Sequence, residues 1–228
     1  MTRDNITLLA FDTSAAHCAA AVFADGAVQH AATEPMAKGQ AERILVLCQE
    51  MLAQSELTLE GISAIGIGVG PGNFTGIRIS VSAARGLALA LGVPAIPVST
   101  FEMLCAPDAP EAVAHELVVV GAPRDAAYVQ RLTQGRPVSE PELIDPTAIP
   151  THFAQTGLCV TGHMAETIAA QLGAQARPCQ VENPAGTIAR VAAWKYAQGY
   201  DMGKPPAPLY VRAPDAAPAR DTPPIILP

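Results

Sequence analysis

Charge is scarce in this chain. Only 15% of its 228 residues are Asp, Glu, Lys or Arg, and the acids prevail, for a net charge of −7. A nucleic-acid surface needs clustered Lys and Arg against phosphate, so this balance argues against one here; a partner could still supply it. The five cysteines, Cys18, Cys48, Cys105, Cys159 and Cys179, are odd in number and never stand as C-x-x-C. That argues against a disulfide framework and a zinc site, and for buried thiols in a reducing compartment. The five histidines lie apart, with no H-x-x-x-H, H-x-x-H or H-E-x-x-H, so no metal site is expected from them. No G-x-S-x-G nucleophile motif occurs, and no Lys-Ser/Thr follows the glycine-rich stretch where a P-loop requires it. No apolar run approaches the about 20 residues that a bilayer demands, and the N-terminus runs straight into strand-like sequence. The expectation is a soluble, cytoplasmic protein without a leader.

What is present is apolar: half the residues are hydrophobic, enough for one domain or two small lobes. Ile6 to Asp12 is a nearly continuous apolar run of strand length, as in a buried strand. Cys18 to Phe23 and Ala27 to Thr33 flank Asp25-Gly26, a two-residue hairpin signal, so the chain opens as a three-stranded meander. Gln40 to Ser55 has helical periodicity. Ile44, Leu45, Leu47, Cys48, Met51 and Leu52 share an arc of about 160°, wider than an ordinary surface helix needs, while Val46 sits among polar residues. Such an arc either wedges between two layers of one domain or offers one edge to a partner.

Ile62 to Val69 is a glycine-dense strand, which implies close backbone packing. A glycine-rich elbow, Gly68 to Gly76, leads into a helix over Gly76 to Leu91 stopped by Gly92 and Pro94. Ile79, Ala83, Leu87 and Ala90 or Leu91 form a seam on that helix. Its small residues keep the surface shallow, and Arg78 and Arg85 share a face. Ala95 to Val98 is a fifth strand, and Ser99 caps a helix to about Ala106.

A Pro- and Ala-rich connection, 106 to 116, precedes a recurrence of the opening pattern. Strands are expected at Leu117 to Val120, Ala126 to Thr133 and Pro137 to Ile144, with a turn at Gln134-Gly135. A further strand at Gly157 to Gly162 follows, then helices at Met164 to Leu172 and Thr187 to Gln198. The architecture is duplicated although the sequence is not, and the second copy is curtailed. The division expected is a first lobe over 1–105, a second over 106–215 and a Pro-rich tail over 216–228. Leu209-Tyr210-Val211-Arg212 is expected to pack back on the body.

Two stretches could carry chemistry. Glycines before a helix can turn amide N–H groups on an anion, with the helix N-terminus assisting, or can simply make a tight bend. Asp12, where a buried strand meets a turn, could hold hydrated magnesium beside a phosphate, or could tie its own turn together.

Phe11-Asp12-Thr13-Ser14, Glu42-Arg43-Ile44-Leu45, and above all GPGNFTGIRI at 70–79 with GLALALGVPAIPVST at 86–100 resemble the TsaB (YeaZ) family; PLYVR at 208–212 resembles its C-terminal element. The resemblance implies an α/β fold of two actin-like ASKHA (ribonuclease-H-type) lobes. It implies a partner subunit of the bacterial tRNA threonylcarbamoyladenosine machinery, pairing with the catalytic paralogue TsaD and joined by the ATPase TsaE. ATP and metal are then used by those partners and not by this chain alone; tRNA is met only through the complex, and the chain self-associates when the partner is absent. The partner-binding residues implied lie on the two long helices: Gln40, Arg43, Ile44, Leu47, Cys48 and Met51 on the first, Arg78, Ile79, Ser82, Ala83, Arg85 and Gly86 on the second. Asp12, Thr13, Ser14, Gly70 and Gly72 would be a relic of the fold's phosphate-binding turn. The paralogue's H-x-x-x-H metal site falls here on Thr100 and Leu104, which hold no metal, so no catalytic residue is assigned. Gln40 stands where many relatives have His.

Overall fold

The structure is a computed structural model that describes residues 6–105, 114–200 and 203–211. Much of the expected connection, 106–113, and Arg212 with the tail 216–228, lie outside the described residues.

The opening meander is β1 (Leu8–Asp12), β2 (His17–Ala24) and β3 (Ala27–Pro35), antiparallel throughout. Asp25 and Gly26 both take positive φ, 52° and 77°, which the primed two-residue hairpin turn requires. β4 (Ala64–Gly68) and β5 (Ala95–Val98) then add parallel to β1, giving the order β3-β2-β1-β4-β5. β1 and β4 are buried along their whole length, which is why they carry almost no polar residue.

Two helices cover one face of this sheet. α1 (Gln40–Gln54) and α2 (Phe74–Leu91) bury Ile44, Leu47, Met51, Ile77 and Val81 against Leu9, Phe11, Ile65 and Ile67. α2 begins two residues before the expected Gly76, because Asn73 caps it: the Asn73 side-chain oxygen accepts from the Gly76 N–H at 2.9 Å. By length and composition α2 is apolar enough to cross a membrane. Here one side of it lies on the sheet and two arginines project from the other.

The opposite face is covered from a distance in sequence. α5 (Pro184–Ala197) packs Ala185, Ile188, Ala189 and Ala192 on Leu8, Ala10, Ala19 and Ile96. By chain position α5 falls in the segment 106–215, but by packing it belongs to the first sheet. It also accounts for a glycine in β4: a Cβ added at Gly66 would come within 3.1–3.2 Å of Ala192, Ile188 and Leu8.

α3 (Thr100–Cys105) carries the chain out of the first lobe. Ser99 and Glu102 cap it reciprocally: the Ser99 hydroxyl oxygen accepts from the Glu102 N–H at 3.1 Å, and the Glu102 carboxylate accepts from the Ser99 N–H at 2.8 Å. The second sheet holds β6 (His115–Gly121), β7 (Ala127–Thr133), β8 (Arg136–Pro137), β9 (Glu142–Ile144), β10 (Cys159–Gly162) and β11 (Gln175–Arg177). Its order is β11-β10-β6-β7-β8, with β9 also on β7; β6 pairs antiparallel with β7 and parallel with β10. That is the first sheet's topology with β6 in the place of β1, so the chain is two ASKHA-type lobes.

The second lobe is the leaner copy. Its helix α4 (Ala165–Leu172) seals the core formed with Leu117, Val119, Val129 and Val160. The single strand expected over Pro137 to Ile144 is instead two short pieces. Ser139 breaks it by turning inward, where its carbonyl accepts from Gln130 Nε2 at 2.9 Å and its hydroxyl from the Arg131 N–H at 3.2 Å. Pro141 has no N–H with which to continue the ladder. β11 escaped sequence reading because Gln-Ala-Arg carries no apolar signal.

Candidate functional site: the outward face of the two helices and the inter-lobe cleft

Between the lobes lies a cleft of about 810 Å³, walled by Asp12, Ser14 and His17 on one side and by Gly121, Gly162 and His163 on the other. Asp12 ends β1 and is fully buried. One carboxylate oxygen accepts from the Ser14 N–H at 3.1 Å; the other accepts from the Ser14 hydroxyl at 2.9 Å and lies 2.7 Å from His17 Nε2. Both oxygens are therefore engaged by the chain's own groups, the turn-tying arrangement.

The elbow is engaged in the same way. The Asn73 N–H donates to the Ser14 carbonyl at 2.6 Å, the Thr13 hydroxyl donates to the Gly76 carbonyl at 2.7 Å, and the Thr100 N–H donates to the Gly70 carbonyl at 2.8 Å. Gly70 has φ 88°. A side chain at Gly72 or Gly76 would collide with the carbonyls of Ser14 and Thr13. These glycines let α2 start hard against the β1–β2 turn, so the elbow acts as a bend, and its Asn73 and Gly76 amides are spent within the chain. Thr100 and Leu104 line the cleft. Among the described residues no group of three His, Cys, Asp or Glu is gathered as a metal would need.

The helix pair divides otherwise than the sequence indicates. Ile44, Leu47, Cys48 and Met51, assigned to a partner, are 1–3% exposed and form the lobe's own core. The wide arc of α1 is buried except at its edge, where Leu45 is 44% exposed and is joined by Val46 at 45%. Gln40 is also buried: its amide donates to the carbonyls of Ala15 at 2.8 Å and His17 at 2.7 Å, fastening α1 to the β1–β2 turn. Arg43 is held in a fork, donating to Glu34 and Glu50 at 2.6–2.8 Å. Those hydrogen bonds lower both carboxyl pKa values and raise that of the guanidinium. On α2, Arg78, Ser82, Arg85 and Gly86 are exposed and Ile79 and Ala83 half-buried. A shallow groove of about 420 Å³ runs between the helices, lined by Ala41, Leu45, Thr75, Ile79, Ser82 and Ala83.

Three exposed residues were not among those the sequence assigned to a partner. Leu89 is 87% exposed at the end of α2. Phe74 and Tyr210, with ring centres 5.0 Å apart, flank Arg78. The guanidinium stacks 3.8 Å from the Phe74 ring centre and its Nε donates to the Tyr210 hydroxyl at 2.8 Å. The C-terminal segment reaches this spot as expected: the Leu209 N–H donates to the Val69 carbonyl at 2.8 Å, and Leu209 packs on the first core.

This is a duplicated ASKHA-type protein with an outward-facing helix pair, and it is similar to several known proteins. A family model described as TsaD, tRNA N6-adenosine threonylcarbamoyltransferase, matches residues 33–140. The tRNA threonylcarbamoyladenosine biosynthesis protein TsaB of Haemophilus influenzae is 41% identical over 95 residues, 42% of this chain and 40% of that protein. The match thus spans well under half the length of that curated relative. An uncharacterised protein of Mycobacterium tuberculosis is 30% identical over 80% of this chain and 79% of its own length. A Pseudomonas aeruginosa structure, described as similar to peptidase YeaZ, superposes with TM-score 0.71 at 25% identity over 91% of this chain and all of that one. The chain is thus similar to the TsaB (YeaZ) family over part of its sequence and to a YeaZ-like structure over most of its fold.

Proposed function

We propose that this chain is the non-catalytic partner subunit that binds and activates a TsaD-type threonylcarbamoyltransferase. The complex forms N6-threonylcarbamoyladenosine at the adenosine 3′ of the anticodon in tRNAs reading ANN codons. The observation that carries the reading is the outward face of α1 and α2: Leu45, Val46 and Leu89 exposed beside small residues, a surface on which a second helix pair can lie closely. Large apolar groups at a polar-rimmed surface mark association sites. The chain's own candidate centre supports the same division of labour, since the Asp12 carboxylate is engaged by Ser14 and His17. Metal and ATP belong to the TsaD-type subunit and to a TsaE-type ATPase, and without them the chain pairs with itself through the same helices. Reconstitution with each subunit left out tests the proposal. Transfer should require this chain together with the TsaD-type subunit, and transfer by this chain alone would overturn it.

The cleft between the lobes favours a second reading, a stand-alone ASKHA-type nucleotide-binding phosphotransferase. Calorimetry with ATP and magnesium discriminates. Binding by the isolated chain that Asp12→Ala abolishes would establish this reading, and no heat is expected.

A further inference from the structure

The Phe74–Arg78–Tyr210 cluster is built from two distant parts of the chain and left at the surface. Phe74 is 37% and Tyr210 38% exposed. In a protein only 4% aromatic, two rings are spent on one exposed spot. They fix a guanidinium that would otherwise be flexible: its central carbon sits over the Phe74 ring and the Tyr210 hydroxyl takes its Nε–H. Its two Nη groups have no hydrogen-bond partner among the described residues. A guanidinium held by stacking loses little further freedom on binding, and its open edge matches a carboxylate bidentately.

The surroundings point the same way. α2 contains no acidic residue, and its other charge, Arg85, lies one heptad along the same face, about 10 Å away along the axis. Arg78 also borders the groove between α1 and α2. We infer that Arg78, clamped by Phe74 and by Tyr210 of the C-terminal segment, is an anchor for a carboxylate on the partner's facing helix, so that the segment around Leu209 and Tyr210 is part of the docking surface. This rests on the partner-subunit reading above and adds the partner's chemistry, an acidic helix face. A second copy of this chain fits less well, because it brings the same two arginines again, against Glu42 as the exposed α1 carboxylate without an ion pair among the described residues.

Titration of the cognate TsaD-type subunit into the full chain, at low and high ionic strength, tests the inference. Wild-type affinity should fall with salt. Arg78→Gln should weaken binding by about tenfold and remove much of that salt dependence, while Arg78→Lys, which keeps the charge without the fork, should fall between. Tyr210→Phe should weaken binding by about threefold at an unchanged melting temperature, since only the clamp is lost. If Arg78→Gln and Tyr210→Phe bind as wild type does, with the same salt dependence, the anchor is overturned and the partner-subunit reading stands. If Arg78→Gln alters only self-association, the cluster belongs to a homodimer and the inference fails. If wild type does not bind the partner at all, both fall.

Discussion

Gly76 and Gly86 stand on the same helix under opposite constraints. Gly76 is pressed against the Thr13 carbonyl, whereas a side chain at Gly86 meets nothing within 4 Å, and neither has positive φ. Gly76→Ala should destabilise the fold by about 1–3 kcal/mol through overpacking. Gly86→Ala should stabilise it by about 0.5–1 kcal/mol, because glycine inside a helix costs conformational entropy. Thermal or denaturant melts of the two variants check the pair; a shift of the same sign in both would contradict the packing described. The thiols divide as sharply. Burial pushes Cys18 up to about 11 and raises Cys48 and Cys105 still further, with Glu116 adding to the rise at Cys105. Only thiolates alkylate readily, so these three should stay unmodified near neutral pH in the native protein. Half-exposed Cys179 should react first. Mass spectrometry after brief alkylation, native and then in denaturant, reads this directly.

At the scale of elements, α1 shows what periodicity reveals and where it stops. The spacing of Ile44, Leu47, Cys48, Met51 and Leu52 correctly marks one apolar side. It does not tell which edge remains uncovered, because that depends on where β1, β4 and α2 lie. Leu47→Ala should therefore cost about 2–5 kcal/mol of stability, as for a buried leucine whose cavity stays open. Val46→Glu should leave the melting temperature near wild type and weaken association with the TsaD-type subunit. Melting curves and pull-down of the two variants would separate core from surface. A large loss of stability in Val46→Glu would overturn the assignment. The same limit explains the elbow: its glycines were legible, but anion cradle and bend are alike in sequence. The Ser14, Thr13 and Thr100 contacts, two of them more than 55 residues distant in the chain, decide for the bend.

For the whole molecule, the telling feature is how α5 and the C-terminal segment return to the first lobe. Lys195 of α5 is buried, donating to the Glu102 carboxylate at 2.8 Å and the Pro97 carbonyl at 2.6 Å, so α5 is tied to both β5 and α3. At the far end of α3, Glu116 is buried and accepts from Thr161 and Arg177, and it takes the Cys105 thiol as well. A fragment of residues 1–105 should then fail to fold alone, because Leu8, Ala10, Ala19 and Ile96 would face water where α5 belongs. Circular dichroism and solubility of the fragment, beside the full chain, check this. A soluble, cooperatively melting 1–105 fragment would refute it.

The sequence by itself determined the strands buried on both faces, the hairpin at Asp25-Gly26, the helices with the Ser99 cap and the Gly92 stop, and the doubled meander. Each depends on residues close together in the chain, through apolar periodicity and backbone preference. The family resemblance, too, was written in contiguous motifs. Only the tertiary structure decided that α5 belongs to the first sheet, that Met51 is core and Leu45 surface, and that Tyr210 clamps Arg78. Those facts depend on which distant segments meet, and no local pattern of residues encodes the neighbour that removes one face from water and leaves the other exposed.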